Sequence, residues 1–205
     1  MKNQSIADFY NNLYQEKENL FGKEINLLTK KLLENLHKGV IADIGAGEGT
    51  NAIFLAKKGF TVEAYDISTV AINRLNANAK SKNLPMHTNV VDASTIVFKK
   101  KYEAILAYFL LHHLFDADAR ALIQRMKDNT STYGYNAVAT FTKDSAFFRS
   151  DPSVKDFYPT SGELKTIYQD WDILFYEEKQ TQASILSDTG EPLFNTAAML
   201  LARKP

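Results

Sequence analysis

Val40-Ile41-Ala42-Asp43-Ile44-Gly45-Ala46-Gly47-Glu48-Gly49-Thr50 is the stretch that decides the fold. Val40 to Ala42 reads as a short buried strand, and Asn51 to Lys58 as the helix that follows it. The three glycines between them let the backbone turn sharply and approach a ligand without interference from Cβ atoms. Working outward, the same rhythm of apolar run and amphipathic segment repeats. Thr61 to Tyr65 is a second strand, entered through Lys58-Gly59, and Ser68 caps a helix running to about Lys82, ended by Asn83-Leu84-Pro85. His87 to Val91 and Glu103 to Ala107 are further strands, Ala117 to Asp128 a helix, and Gly134 leads into a fifth strand at Asn136 to Thr140. Thr160-Ser161-Gly162-Glu163 has the pattern of a capping box opening another helix. Trp171 to Glu177 and Phe194 to Ala202 are strands with no helix between them; the turn signal Ser187-Asp188-Thr189-Gly190 makes them an antiparallel pair. Ahead of all this lie two helical stretches. The second carries an apolar stripe of Ile25, Leu28, Leu32 and Leu36 and is closed by His37-Lys38-Gly39. Strands that are apolar throughout, alternating with helices, predict an open α/β sheet covered on both faces, mostly parallel, with one reversed strand near the C-terminus. In such sheets a ligand lies beyond the carboxyl ends of the strands, where the strand order reverses.

The loop limits what that ligand is. A dinucleotide fingerprint needs glycine at its first, third and sixth positions, and the sixth here is Thr50. Glu48 stands where a pyrophosphate would meet the helix N-terminus and would repel it. A ligand with no phosphate and a cationic end suits the loop better, which describes S-adenosylmethionine. Asp66, at the end of the second strand, is placed to accept from both ribose hydroxyls, and Asp92, at the end of the third, from the adenine amino group. Each acid also has a plainer use, Asp43 and Asp92 as turn formers and Asp66 as a helix cap.

The glycine loop, Asp66-Ile67, Val91-Asp92-Ala93 and Tyr102 to Leu114 together resemble, in order, the motifs of class I S-adenosylmethionine-dependent methyltransferases. Gly49 to Ala56, Gly162-Glu163-Leu164, Tyr168, Trp171 and Met199 to Lys204 resemble more closely the tellurite-resistance (TehB-type) methyltransferases. The resemblance implies a Rossmann-like seven-stranded sheet with helices on both faces. It implies that Asp43, Gly45, Ala46 and Gly47 line the methionine end of the cofactor, that Asp66 and Ile67 hold the ribose, and that Asp92 and Ala93 hold the adenine. Ala107 and Tyr108 then flank the sulfonium, and chalcogen oxyanions such as tellurite or selenite stand among the acceptors, beside thiols. Ala46 departs from the family, where cysteine is common, and Phe141 to Tyr158 matches it poorly, which leaves the acceptor open.

Three features bear on that acceptor. His112, with His113 beside it, is the candidate general base, because imidazole titrates near neutral pH; the alternative is one ring packed under the sheet and one solvated. Tyr10 and Tyr14 lie with Phe9 in the first helix, so that residues 1–38 form a helical segment able to act as a lid, with aromatic faces available to a sulfonium. Residues 141–160 read as an acceptor-side insertion, with Arg149 and Lys143 set among five aromatic residues.

Composition excludes other classes. The 205 residues fit one domain, 1–205, and 24 Lys plus Arg against 24 Asp plus Glu leave no net charge and no broad nucleic-acid footprint; Lys99-Lys100-Lys101 is a solvated turn. The absence of cysteine removes disulfides, thiolate nucleophiles and Cys-bearing zinc sites, and no metal site is expected. The N-terminus lacks the apolar stretch of a signal peptide, and no run approaches the ~18 apolar residues of a membrane span. The expectation is a cytoplasmic monomer or homodimer acting on a small molecule and not on a membrane. A methyltransferase acting on an oxygen or nitrogen nucleophile, a nicotinamide oxidoreductase and a non-catalytic S-adenosylmethionine-binding protein are the competing readings.

Overall fold

The structure is a computed structural model that describes residues 5–151, 153, 156–186 and 192–205. Seven strands build one sheet: β1 (Val40–Ile44), β2 (Thr61–Asp66), β3 (Met86–Val90), β4 (Tyr102–Tyr108), β5 (Thr130–Phe141), β6 (Asp172–Leu186) and β7 (Pro192–Arg203). Their order is β3-β2-β1-β4-β5-β7-β6. All neighbours pair in parallel except β7, which runs antiparallel to both β5 and β6. The one reversed strand is therefore where the sequence puts it; the Ser187–Gly190 turn signal itself lies outside the described residues.

Helices α1 (Ile6–Glu16), α2 (Leu27–Leu32), α3 (Thr50–Lys57), α4 (Thr69–Ser81), α5 (Asp116–Asn129), α6 (Ala146–Ser150) and α7 (Glu163–Ile167) complete the chain. Side chains alternate across a strand, and here both faces are buried. In β4, Ala104 and Leu106 enter one core with Leu28 of α2, Leu55 of α3 and Leu75 of α4. Ile105 and Ala107 enter the opposite core with Leu122 and Ile123 of α5 and Leu164 of α7. Each fully buried Leu or Ile contributes about 1.5–3 kcal/mol by leaving water.

Three local expectations are corrected. The second helix stops at Leu32 instead of running to Leu36: Asn26 caps it, and the chain continues as turns through Asn35 and Leu36, whose N–H groups both donate to the Leu32 carbonyl. Gly39 then serves the entry to β1, at φ 134 and against Glu103, where a Cβ would lie 2.6 Å from Cγ. The Thr160 pattern does open a helix, and the Glu163 carboxylate accepts from the Thr160 N–H and hydroxyl, but only this half of the capping box forms and the N-cap is Gly162. Finally β5 starts earlier than Asn136, at Thr130, because Thr130 already pairs with Tyr102; the register then shifts, and pairing continues from Tyr135 opposite Ala104.

The chain leaves β1, builds outward through β2 and β3, then returns to place β4 on the other side of β1. The sheet's switch point is therefore the gap between the carboxyl ends of β1 and β4, and the glycine loop emerges beside it.

Candidate functional site

Gly45 and Ala46 donate their N–H groups to the Tyr65 carbonyl at 2.8 and 3.0 Å, which turns the loop back across the end of β2. Two of its glycines are demanded by contact as well as by backbone. At Gly49, φ is 83 and a Cβ would lie 2.1 Å from Leu75 Cδ1; at Gly47, φ is 55 and a Cβ would lie 2.6 Å from the Tyr14 hydroxyl. The Gly47 N–H donates to Asp66 Oδ2 and the Ser68 N–H to Asp66 Oδ1, both at 2.8 Å. One carboxylate thus joins the glycine loop to the start of α4, which Ser68 caps by accepting from Ala71.

Asp43 lies beneath this loop, 3% exposed, and no described residue donates a hydrogen bond to its carboxylate. Burial, and then the neighbouring charge of Asp66, push it up to about 7. Asp66 is also raised, burial outweighing the backbone hydrogen bonds it accepts. Two adjacent acids held against their preference for water make a place for a cation, since an isolated buried carboxylate is costly unless paired. The residues present fit S-adenosylmethionine on this ground: Asp43 would hold the ammonium group of its amino-acid tail, and the carboxylate at the end of β2 would accept from its hydroxyls.

The other predicted cofactor residues are placed less directly. Ile67 follows Asp66, and its backbone N–H helps to offset the effect of burial on that carboxyl. Asp92 is exposed and accepts from the Ser94 N–H and hydroxyl at 2.8 and 2.7 Å, capping the turn Ala93–Thr95; Ala93 is buried. Ala107 and Tyr108 pack into opposite faces of the sheet, and the Tyr108 hydroxyl meets Thr29 Oγ1 at 3.1 Å. The charge of Asp43 bears on the Tyr108 hydroxyl, so that side chain lies on the Asp43 side of the sheet and Ala107 on the other. Glu48 forms an ion pair with Arg74 at 3.0 Å and accepts from the Leu20 N–H, fastening the segment after α1 to α4.

Helix α1 lies over the site. Asn11 Oδ1 accepts from Ser68 Oγ at 2.8 Å and from the Val70 N–H at 3.2 Å, so α1 docks on the start of α4. Tyr14 is buried against Gly47. Tyr10 reaches the opposite bank, its hydroxyl 2.9 Å from His113 Nε2. Burial, together with the charge of Asp66, pushes Tyr10 up to about 12, and burial takes His113 down to about 4. The contact thus joins a protonated phenol to a neutral imidazole.

His112 is enclosed. It is 5% exposed, with Thr140 Oγ1 3.5 Å from Nδ1 and the rings of Phe141 and Tyr158 at 4.8 and 5.9 Å. Burial and then the adjacent His113 hold it well below its ordinary pKa. The pair divides as packed and reachable, and the reachable ring is His113. Phe109, just past β4, adopts φ 53, a strained choice for an aromatic residue, and stacks at 5.1 Å on Phe141. Arg149 forks onto the carbonyls of Asp144 and Phe194 at 2.6 and 3.4 Å and runs along the surface. Of the basic triplet, Lys100 pairs with Glu63 at 2.5 Å and Lys101 with the Asp128 carbonyl. A groove of about 580 Å³ lies away from the glycine loop along β2 and β3, and its acid, Glu63, is already partnered by Tyr65, Tyr102 and Lys100.

Asn11 and Thr29 lie in no motif, and Asn51 lies in the Gly49 to Ala56 stretch without being singled out there, although all three fix the covering segment: Asn51 Oδ1 accepts from the Asn26 N–H and from Thr29 Oγ1. Among the described residues, no group of three His, Cys, Asp or Glu side chains is set to hold a metal, and no helix is long and apolar enough to cross a membrane.

The family model described as "Tellurite resistance protein TehB" matches residues 8–195. A Haemophilus influenzae protein named "Probable S-adenosyl-L-methionine-dependent methyltransferase TehB" is 27% identical over 203 residues, covering 93% of this chain and 68% of the relative. The crystal structure of TehB from Haemophilus influenzae superposes with a TM-score of 0.79 at 24% identity, over 96% of this chain and 67% of that one. Magnesium protoporphyrin IX methyltransferase from Synechocystis PCC 6803, solved with bound S-adenosylmethionine, gives 0.70 at 16% identity over 98% and 95%. These structural likenesses establish the fold.

Proposed function

The chain belongs to the TehB tellurite-resistance family, and on that premise we propose that it transfers the methyl group of S-adenosylmethionine to a small molecule whose acceptor atom is a soft chalcogen. It is an S-adenosylmethionine-dependent methyltransferase, as its relatives are named. That cofactor supplies a methyl group already activated on a positively charged sulfur, so the protein's work is alignment and exclusion of water.

The observation that carries the reading is Asp43, a buried acid beneath the glycine loop with no partner among the described residues. In this reading Asp43, Gly45, Ala46 and Gly47 receive the amino-acid tail, Asp66 and Ile67 the ribose, and Asp92 and Ala93 the adenine. The backbone of Ala107 and Tyr108 borders the sulfonium, and Tyr10 and Tyr14 close the site from above as part of a lid formed by residues 1–38. The acceptor enters from the side of residues 141–160, whose rings Phe141 and Tyr158 enclose His112. The reading takes 1–205 as one domain acting in the cytoplasm, alone or as a homodimer.

A soft acceptor is favoured over an oxygen or nitrogen nucleophile because burial keeps both histidines uncharged and weakly basic. An alcohol or ammonium group needs a strong base, whereas sulfur, selenium and tellurium attack a methyl sulfonium with little help. Methyl transfer from labelled donor to a panel of thiol, selenite, tellurite, amine and carboxylate acceptors tests this. Product from at least one of the chalcogen members is expected, and product from amines or carboxylates alone would overturn the acceptor class.

A further inference from the structure

We propose that the Tyr10 hydroxyl, backed by His113, takes the proton from the methyl acceptor, and that the acceptor arrives with hydrogen on its reacting atom, as a neutral thiol, selenol or hydrogen sulfide. The inference rests on the methyltransferase reading and deepens it. Its basis is the juxtaposition of a lid residue with the loop after β4 at the entrance to the switch point. Tyr10 lies between the cofactor half of the site, where it feels the charge of Asp66, and the acceptor half, where it feels Tyr158. Its hydroxyl meets His113 Nε2 at 2.9 Å.

Burial keeps the phenol protonated and the imidazole neutral, and the relay uses the imidazole tautomer with its hydrogen on Nδ1, which leaves Nε2 as the acceptor. Tyr10 therefore donates to His113, and its oxygen lone pairs stay available to a hydrogen on an incoming ligand. His112 has no comparable reach, closed in by Thr140, Phe141 and Tyr158. The walls are aromatic, with Phe148 and Tyr158 rings at 5.3 Å, and they favour an uncharged acceptor over one that must shed a tight hydration shell.

The step balances. The acceptor's lone pair forms the bond to the methyl carbon, and the carbon–sulfur bond of the sulfonium breaks with its electron pair left on sulfur. The acceptor's proton passes to the Tyr10 oxygen as the Tyr10 proton passes to His113 Nε2, and the imidazolium then releases it to water. A weak base suffices, because a chalcogen hydride becomes a strong acid as carbon bonds to it. A base of this kind also stays unprotonated throughout the physiological range.

The test compares a thiol with iodide, a soft nucleophile that carries no proton, in the full chain and in Tyr10→Phe and His113→Gln. Both variants are expected to lower the ratio of thiol to iodide turnover by about 100-fold, with the KM for thiol and the affinity for S-adenosylhomocysteine changed less than about threefold. The solvent deuterium isotope effect on thiol turnover should disappear with the hydroxyl. A readout independent of turnover is the nitrogen NMR signal of His113 in the ligand-free chain, which should move in Tyr10→Phe while that of His112 does not. Equal losses with thiol and iodide, or a His113 signal indifferent to Tyr10, overturn the proposal. A parent chain that methylates neither acceptor overturns the underlying reading, whatever the NMR result.

Discussion

Asp43 and Asp66 stand within each other's field at the ends of adjacent strands, and their titration separates a binding role from a structural one. The folded pKa of Asp43, about 7, lies above its ordinary 3.8. Its contribution to the stability of the ligand-free chain is thus present in full below about pH 4 and lost as the pH rises through 7. A melting series from pH 4 to 8 should show the parent losing Tm across that window relative to Asp43→Asn. A ligand ammonium group reverses the sense, because it is paired by the ionised carboxylate; affinity for S-adenosylhomocysteine, whose tail carries that group, should rise with pH up to about 7 and be roughly tenfold or more weaker in Asp43→Asn at pH 8. Parallel pH profiles for the two proteins would remove Asp43 from the site. Asp66→Ala should weaken cofactor binding by ~1.5–3 kcal/mol, the loss of hydrogen bonds to a charged acceptor, as measured by titration calorimetry. Both acids were legible in the sequence because each ends a strand in register with the glycine loop. Arg149 was not, since a cation among aromatic residues looks the same whether it faces a ligand or, as here, two carbonyl oxygens.

At the scale of the element, the glycine loop and the covering helix differ in how far local sequence specifies them. The loop announces itself by its own spacing, three glycines between a strand and a helix, so it could be read directly, although the residues that crowd Gly47 and Gly49 are Tyr14 of α1 and Leu75 of α4. Helix α1 shows its caps and its aromatic residues, yet its partners are Ser68, Val70 and His113, 57 to 103 residues away. No periodicity records a contact over that distance, and the same holds for the Tyr108–Thr29 contact that draws the ring inward. α1 is joined to the sheet by few contacts, which places it at the low end of the local stability range. Asn11→Ala removes the acceptor of two hydrogen bonds and should lower hydrogen-exchange protection of residues 6–16 by about tenfold, a net loss of ~1–2 kcal/mol, while the amides of β1 and β4 keep theirs. Loss spread evenly over the sheet would mean that α1 is part of the global unit and not a lid.

Across the whole molecule, the sheet keeps two cores apart and brings their upper ends together at one site. Ile72 of α4 belongs to the core that carries the glycine loop and Ile123 of α5 to the one beneath the His112–His113 loop; they are 5% and 2% exposed. The apolar strands made this layering legible, since a run such as Ala104 to Ala107 with no polar residue has to bury both faces. Two cores without shared side chains should respond independently. Ile72→Val and Ile123→Val are each expected to cost ~0.5–1.5 kcal/mol, and the double variant the sum of the two to within ~0.5 kcal/mol, by urea denaturation. The cofactor couples what the packing separates, because its proposed contacts come from the ends of β1, β2, β3 and β4 and exist together only in the assembled sheet. At 100 times its dissociation constant, S-adenosylhomocysteine should add ~2.7 kcal/mol to the parent, to both single variants and to the double alike. An increment that survives in one variant and vanishes in the other would place the whole of the binding site on a single face, and would detach the His112–His113 loop from the cofactor.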